Sequence, residues 1–423
     1  MKNQKHLLIV RSGYPSKEFV LKKLRALGYF LIVLDETISC PTELVDDWVI
    51  ADMSSEKACI KAVKHYLKDN NHKIDGVLTF WEEAVLITTK LSDSLNLPGT
   101  PFRSAEIIKN KFSFREACSA FNLPSPKHAM LQIDSNFSDV VKGLSFPLVV
   151  KPIYGAASAF VVRVNNLREL KKAFVSINKY IKSFWLTPEW KSVDLLVEEY
   201  IEGQEVDIDM ILQDGKLKFH SVTDNFQTHE PFFVETGQAL PSRLADTKQQ
   251  ELVEMAMTVL RSLNVTDAIV HFEAKTGLNG PVPIEVNLRM GGDEVYSFIK
   301  TVWGIDFIEY AAKIAIGDHF TIKKPTHPLT HLEGRYFLPD KTGRIANITI
   351  PRSITQNPHL FELKICKNIG DEIKIPPQDF DYFGWITAQG KSSEEAHISL
   401  NRMFSRVKFA LDLYERPTIQ TYI

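Results

Sequence analysis

Over the first hundred residues, short apolar runs alternate with amphipathic stretches. HLLIV (6–10) is an apolar run of strand length, and residues 16–27 follow with helical spacing. YFLIVLD (29–35) predicts a second strand, residues 55–69 a helix, IDGVLTF (74–80) a strand and residues 82–95 a helix. Strand and helix alternating at this interval predict a small parallel sheet with helices on its faces. Ligands of such sheets sit beyond the carboxyl ends of the strands, where Ser12-Gly13 and Trp81-Glu82-Glu83 fall. RSGYPS lacks the G-x-G-x-x-G of a dinucleotide loop, and Trp81 to Glu83 read equally as a helix start or as pocket lining.

LNLPGTP (95–101) breaks the pattern. Beyond it one helix is expected from Ser104, a candidate N-cap, to Phe121, before the second breaker NLPSPK. Residues 146–321 read mostly as strands, and after KKPTHP (323–328) the chain is β-rich, ending on an amphipathic helix at about 392–413. The expected fold is therefore α/β followed by α+β, divided at 1–103, 104–322 and 323–423.

Two strands of the middle region carry a polar face. In AIVHFEAK (268–275), Ile269, His271 and Glu273 alternate with Val270, Phe272 and Ala274. In PIEVNLRMGG (283–292), Glu285, Asn287 and Arg289 alternate with Ile284, Val286 and Leu288. Glu285 and Asn287 stand roughly 7 Å apart on one face. If the two strands pair across the LNGP turn, Glu273 joins them. Oxygen ligands of this kind suit Mg²⁺ rather than zinc.

Composition narrows the classes. The chain has 423 residues, 44% of them hydrophobic, with 50 basic against 52 acidic side chains and a net charge of −2. That excludes wholesale disorder and offers no single-sign field for nucleic acid or membrane, so an anionic ligand must be held by local charge. Cys40, Cys59, Cys118 and Cys366 show no metal or redox spacing. Only four consecutive apolar residues precede Arg11, too few for a signal peptide, and no run reaches membrane-spanning length. A soluble cytoplasmic protein is expected.

Two further segments bear on an anionic ligand. FPLVVKP (146–152) ends an apolar strand on Lys151, followed by the small-residue loop YGAASAF. A phosphate cradle or an ordinary strand terminus both fit. LLVEEYIEGQEVDIDMIL (195–212) places Glu198, Glu199 and Glu205 around a turn, either a solvated hairpin or acceptors for an amino group and ribose hydroxyls.

In order and spacing, Lys111, Lys151 with its loop, EEYIEGQE, Glu273 and the E-x-N-x-R of 285–289 together resemble the ATP-grasp ligase superfamily. HEPFFVETGQALPSRL (229–244) is similar to a segment of its L-amino acid ligase and carnosine synthase branch, whose C-terminal part is biotin-carboxylase-like. The resemblance implies a nucleotide gripped between two α+β lobes, one of them a lid at about 125–202, and a β-rich C-terminal segment with a terminal helix. Lys111, Lys151 and Ser158 would contact phosphates, Glu198 and the chain through Glu199, Tyr200 and Ile201 the adenine, and Glu205 the ribose. Glu273, Glu285 and Asn287 match Mg²⁺ ligands, with Mn²⁺ as a substitute. Arg289, Gly291 and Gly292 match the surroundings of the reacting phosphoryl group, and His229, Glu235 and Gln238 are candidates for holding substrate. One departure stands out: Phe160 occupies a position where a glycine is common.

The reaction implied joins a carboxylic acid, often an amino acid, to an amine through an acyl phosphate, releasing ADP and phosphate. Arg289 and Lys151 would stabilise charge, with Glu235 or His229 as candidate base. Small-molecule substrates are the expected partners, with neither nucleic acid nor membrane, and a homodimer by analogy. Two rivals remain: a carboxylase-like enzyme acting on bicarbonate, and a nucleotide sensor without turnover.

Overall fold

A computed structural model describes residues 4–70, 72–183, 194–292 and 294–413. The N-terminal strands form a parallel sheet in the order Asp47–Ile50, Phe30–Asp35, His6–Val10, Gly76–Leu78. The apolar run 6–10 is continuous because both faces of this sheet are covered. Leu8 and Val10 pack on Cys59 and Val63 of the helix Glu56–Asp69. Leu7 and Ile9 join a core with Phe298 and Val302 of Val295–Trp303 and Ile308 and Ala312 of Phe307–Ala315. The first unit is thereby fixed directly to the elements that follow the E-x-N-x-R strand. The strand Asp47–Ile50, whose run VI is too short to stand out, was not expected from the sequence.

The helix expected from Ser104 to Phe121 is two helices, Phe102–Lys109 and Lys111–Ala120. Asn110 breaks them by leaving the helical region and accepting from the Ser113 amide as N-cap of the second. Ser104 is buried inside the first helix and caps nothing. The break aims the Lys111 amide at the Ile153 carbonyl, 2.9 Å away, tying this turn to the loop after Lys151.

Two antiparallel sheets dominate the rest of the frame, and a third, three-stranded one lies in the C-terminal part. The smaller runs His128–Leu131, Leu195–Glu199, Leu148–Pro152, Val162–Val164, and is backed by Leu170, Phe174 and Ile177 of the helix Leu167–Tyr180. The expected lid (125–202) contains it, although 184–193 lie outside the described residues. The larger sheet has eight strands, in the order Val282–Asn287, Ala268–Lys275, Glu205–Gln213, Lys216–Asn225, Gly237–Leu240, His331–Phe337, Gly384–Gly390, Leu360–Ile365. The larger sheet therefore runs without a break from the middle segment into the C-terminal one.

The terminal helix is shorter than expected, Ser393–Phe404, and Lys408–Leu413 is a strand pairing with Gly343–Thr349. KFALDL alternates with period two, and Phe409 and Leu411 pack on the C-terminal core. A helical reading carried past Ser405 misses that change of period.

Candidate active site

The site is built on one face of the large sheet. Val270, Phe272 and Ala274 enter the core beneath the sheet, so His271 and Glu273 must face the other way. The antiparallel register sets Glu273 opposite Glu285 and His271 opposite Asn287, with Asp207 and Asp209 opposite Glu273 and His271 on the next strand. A bulge between Glu273 and Ala274 leaves Ile284 extra on its strand, and Ile284 lines the cleft instead of joining the aliphatic face with Val286 and Leu288.

Facing carboxylates disfavour joint ionisation. Burial, then the charge of Glu285, raises the Glu273 carboxyl well above the usual range, to about 8. The Asn287 amide donates to Glu273 Oε1 at 3.2 Å. Burial disfavours an imidazolium at His271, but Asp209, 2.9 Å from Nδ1, and Asp207 outweigh it and push the pKa up to about 10. Asp207 itself is raised to about 6, by burial above all.

Cations converge on the same cleft. Lys111 Nζ lies 3.1 Å from both Glu285 Oε1 and the Gly155 carbonyl. Lys151 Nζ is 2.6 Å from Glu198 Oε1, and both side chains are buried. Glu198 also accepts from Arg115 Nε at 2.7 Å, so the carboxylate expected at adenine is committed to two cations. Burial alone would raise it; Arg115 and Lys151 bring it down to about 2. Arg289 Nη1 donates to the Met290 carbonyl at 2.8 Å, and Nε is 2.9 Å from Glu82 Oε2. Glu82 is locked in turn by Lys109 Nζ at 2.6 Å from Oε1. Glu82 thus both opens a short helix and anchors Arg289.

Lys111, Lys151, Ser158, Glu198, Tyr200, Ile201, Glu205, Glu235, Glu273, Glu285, Asn287 and Arg289 all line one cleft between the two antiparallel sheets. Glu199 does not: its carboxylate accepts from the Ser145 amide at 2.9 Å, away from the cleft. His229 is exposed on the loop that folds back at Val234, outside the cleft lining. Gln238 is buried on its strand opposite Asn225, also outside that lining. Gly291 abuts Val295 and His271, where a Cβ would come within 2.5 Å of Val295 Cγ1. Gly292 has open space around it.

Arg115, Lys109, Asp207, Asp209 and Lys275 escaped the sequence reading, which had Glu82 as a helix start or pocket lining but not as the partner of Arg289. The signal for Arg115 was its place four residues after Lys111, on the same helix face. Lys275, two residues after Glu273, carried the same alternation signal.

Phe160 accounts for its own departure. Its φ is +63°, the left-handed region that favours glycine, and Ala157 and Ser158 share that region. The ring is 1% exposed and meets Phe380 edge-on at 5.0 Å, while Phe380 meets Phe232 at 6.3 Å. Burying the ring offsets a backbone cost of roughly 1–2 kcal/mol. Phe160→Ala is expected to loosen the small sheet by about 3 kcal/mol. Amides of Val162–Val164 should then exchange faster, with those of Ala268–Lys275 unchanged; uniform protection would contradict this anchor.

Three family models match the chain: an ATP-grasp N-terminal domain at 21–99, an ATP-grasp domain at 144–297 and L-amino acid ligase C-terminal domain 2 at 335–412. Human carnosine synthase 1 is 26% identical over 94% of this chain and 50% of its own length. Alanine–anticapsin ligase of Bacillus subtilis is 25% identical over 56% of this chain and 52% of its own. The chain thus spans about half the length of these relatives. Among solved structures, L-amino acid ligase from Bacillus licheniformis superposes with a TM-score of 0.79 at 23% identity, covering 97% of this chain and all of the other. Biotin carboxylase from Campylobacter jejuni gives 0.66 at 15%, covering 97% and 92%. No helix among the described residues is long and apolar enough to cross a membrane. The chain therefore carries an ATP-grasp domain, preceded by an ATP-grasp N-terminal domain and followed by an L-amino acid ligase C-terminal domain.

Proposed function

We propose that this protein is an ATP-dependent ligase that joins the carboxylate of an amino acid, or a similar acid, to an amine. The observation carrying the reading is the convergence of Glu273, Glu285 and Asn287 with Lys111, Lys151 and Arg289 on one cleft between two sheets. The similarity to carnosine synthase 1, alanine–anticapsin ligase and L-amino acid ligase supports it.

The donor set fits Mg²⁺. Two facing carboxylates, one of them held protonated by burial and then by the other's charge, form an arrangement that a divalent cation relieves. No group of three His, Cys, Asp or Glu among the described residues is arranged to hold a metal alone. Mg²⁺ is commonly bound through one or two carboxylates and completed by phosphate oxygens and water. Glu273, Glu285 and Asn287 would hold it, and when bound it supplies Lewis-acid neutralisation of the phosphates.

The chain's own residues divide the remaining work. Lys111 and Lys151 hold phosphate oxygens as the acid's carboxylate takes the γ-phosphoryl group, forming an acyl phosphate and ADP. Arg289, fixed by Glu82, stabilises charge at the reacting centre. The amine then attacks the acyl carbon and phosphate leaves; Glu235, on the cleft wall, is the candidate acceptor of the amine's proton. The small sheet, anchored through Phe160, excludes water that would hydrolyse the acyl phosphate.

ADP and phosphate release, measured with amino acids singly and in pairs, tests the reading. Release that needs two substrates and yields a dipeptide-like mass supports it. Bicarbonate dependence would replace it with a carboxylase, and ATP binding without turnover for any pair would replace it with a sensor.

A further inference from the structure

Among the described residues Arg115 is the largest side chain to be fully buried, and four hydrogen bonds of its guanidinium leave the helix Lys111–Ala120 in two directions. Nε and Nη2 donate to Glu198 Oε2 at 2.7 Å and Oε1 at 3.4 Å, on the small sheet. Nη1 and Nη2 donate to the carbonyls of Pro283 at 2.7 Å and Ile284 at 3.2 Å, at the bulge of the Glu285 strand. One guanidinium thus joins the two sheets that bound the cleft. Lys151 shares Glu198 Oε1 with it at 2.6 Å, and the Lys151 side chain lines the cleft.

We propose that Arg115 is a positioning residue for nucleotide: by holding Glu198 it leaves Lys151 able to give its charge to a phosphate. The inference rests on the ATP reading above. A buried carboxylate stripped of its counter-charge is strongly disfavoured. With Lys151 as its sole cation, Glu198 would keep it, and a phosphate would have to compete for that lysine. With Arg115 bound to both oxygens, Glu198 stays compensated when Lys151 turns outward. The planar fork suits this task, because it serves both carboxylate oxygens and two backbone carbonyls from one fixed position. Lys111, one turn earlier on the same helix, faces the same cleft, so one helical turn governs both phosphate-facing lysines.

The experiment is titration of the full chain with Mg·ATP by calorimetry, with thermal midpoints recorded in parallel. Arg115→Met should weaken binding at least about tenfold, as loss of a partner from a buried charge implies, and Arg115→Lys should fall between it and wild type. The deciding variant is Arg115→Met with Glu198→Gln, in which no carboxylate remains to hold Lys151. Its affinity should return to within about threefold of Glu198→Gln alone. A merely structural arginine would show its rescue in the thermal midpoint and not in the affinity of the folded protein. Unchanged affinity in Arg115→Met, or a double variant no better than it, overturns the proposal. If Arg115→Met does not fold, Arg115→Lys and the double variant decide by the same comparison. Wild type that fails to bind Mg·ATP would overturn the ATP reading itself.

Discussion

Glu285→Gln is expected to remove turnover, by ~10³-fold or more, while leaving the protein folded. Glutamine keeps the shape and one acceptor but gives up the charge on which the proposed cation would depend. The fold has little reason to collapse. The substitution breaks the 3.1 Å pair with Lys111, but Lys111 keeps the Gly155 carbonyl, and the repulsion between two facing acids disappears. Turnover at the wild-type rate would sink the metal assignment; loss of the folded state would show that the Lys111 pair is structural.

The same pair of acids sets a pH dependence. A carboxyl raised from 4.5 to about 8 binds more protons folded than unfolded across that interval. Stability of the ligand-free protein therefore falls as pH rises from about 4.5 towards about 8, the contribution of Glu273 being largest at the acid end. Binding of Mg·ATP near pH 7 should release a proton from Glu273, because ligation requires the carboxylate. Calorimetry in two buffers of different ionisation enthalpy measures it. Glu285→Gln should shrink the release, since the charge of Glu285 is the largest electrostatic cause of the shift after burial. Identical proton release in both proteins would mean that burial alone holds the proton on Glu273.

The polar faces were legible because a strand writes them with period two. Alternation in 268–275 and 283–289, with a short turn between, was enough to bring Glu273 beside Glu285, and the register places them opposite. Local signals failed where a partner lies far along the chain. Glu82 and Arg289 are 207 residues apart, and Arg115 and Glu198 are 83 apart. A buried arginine in a helix resembles an exposed one until the strands that cover it are in place. The bulge at Ile284 left no mark in the alternation, since an extra residue shows only against a partner strand. The break at Asn110 did carry a capping residue, but it sat inside an otherwise helical run.

The long pair Glu82–Arg289 leads to the second large effect. Arg289→Lys should lower kcat by about 10²–10³-fold while the KM for ATP changes by less than about threefold. A lysine has one point charge on a flexible stem, so it cannot hold Glu82 and the Met290 carbonyl while presenting further donors to the cleft. Glu82→Gln should cost roughly tenfold in kcat, because Arg289 keeps its charge but loses the anchor that orients it. That anchor stays ionised throughout the working range. Burial alone would raise the Glu82 carboxyl, but Lys109 and Arg289 hold it down to about 2. If Glu82 acts only through Arg289, the double variant should be no slower than Arg289→Lys alone. Additive losses would give Glu82 a separate role at the end of its parallel strand. A rise in the KM for ATP in place of a fall in kcat would make Arg289 a nucleotide-holding residue, and the acyl-transfer centre would then have to be sought nearer Glu235.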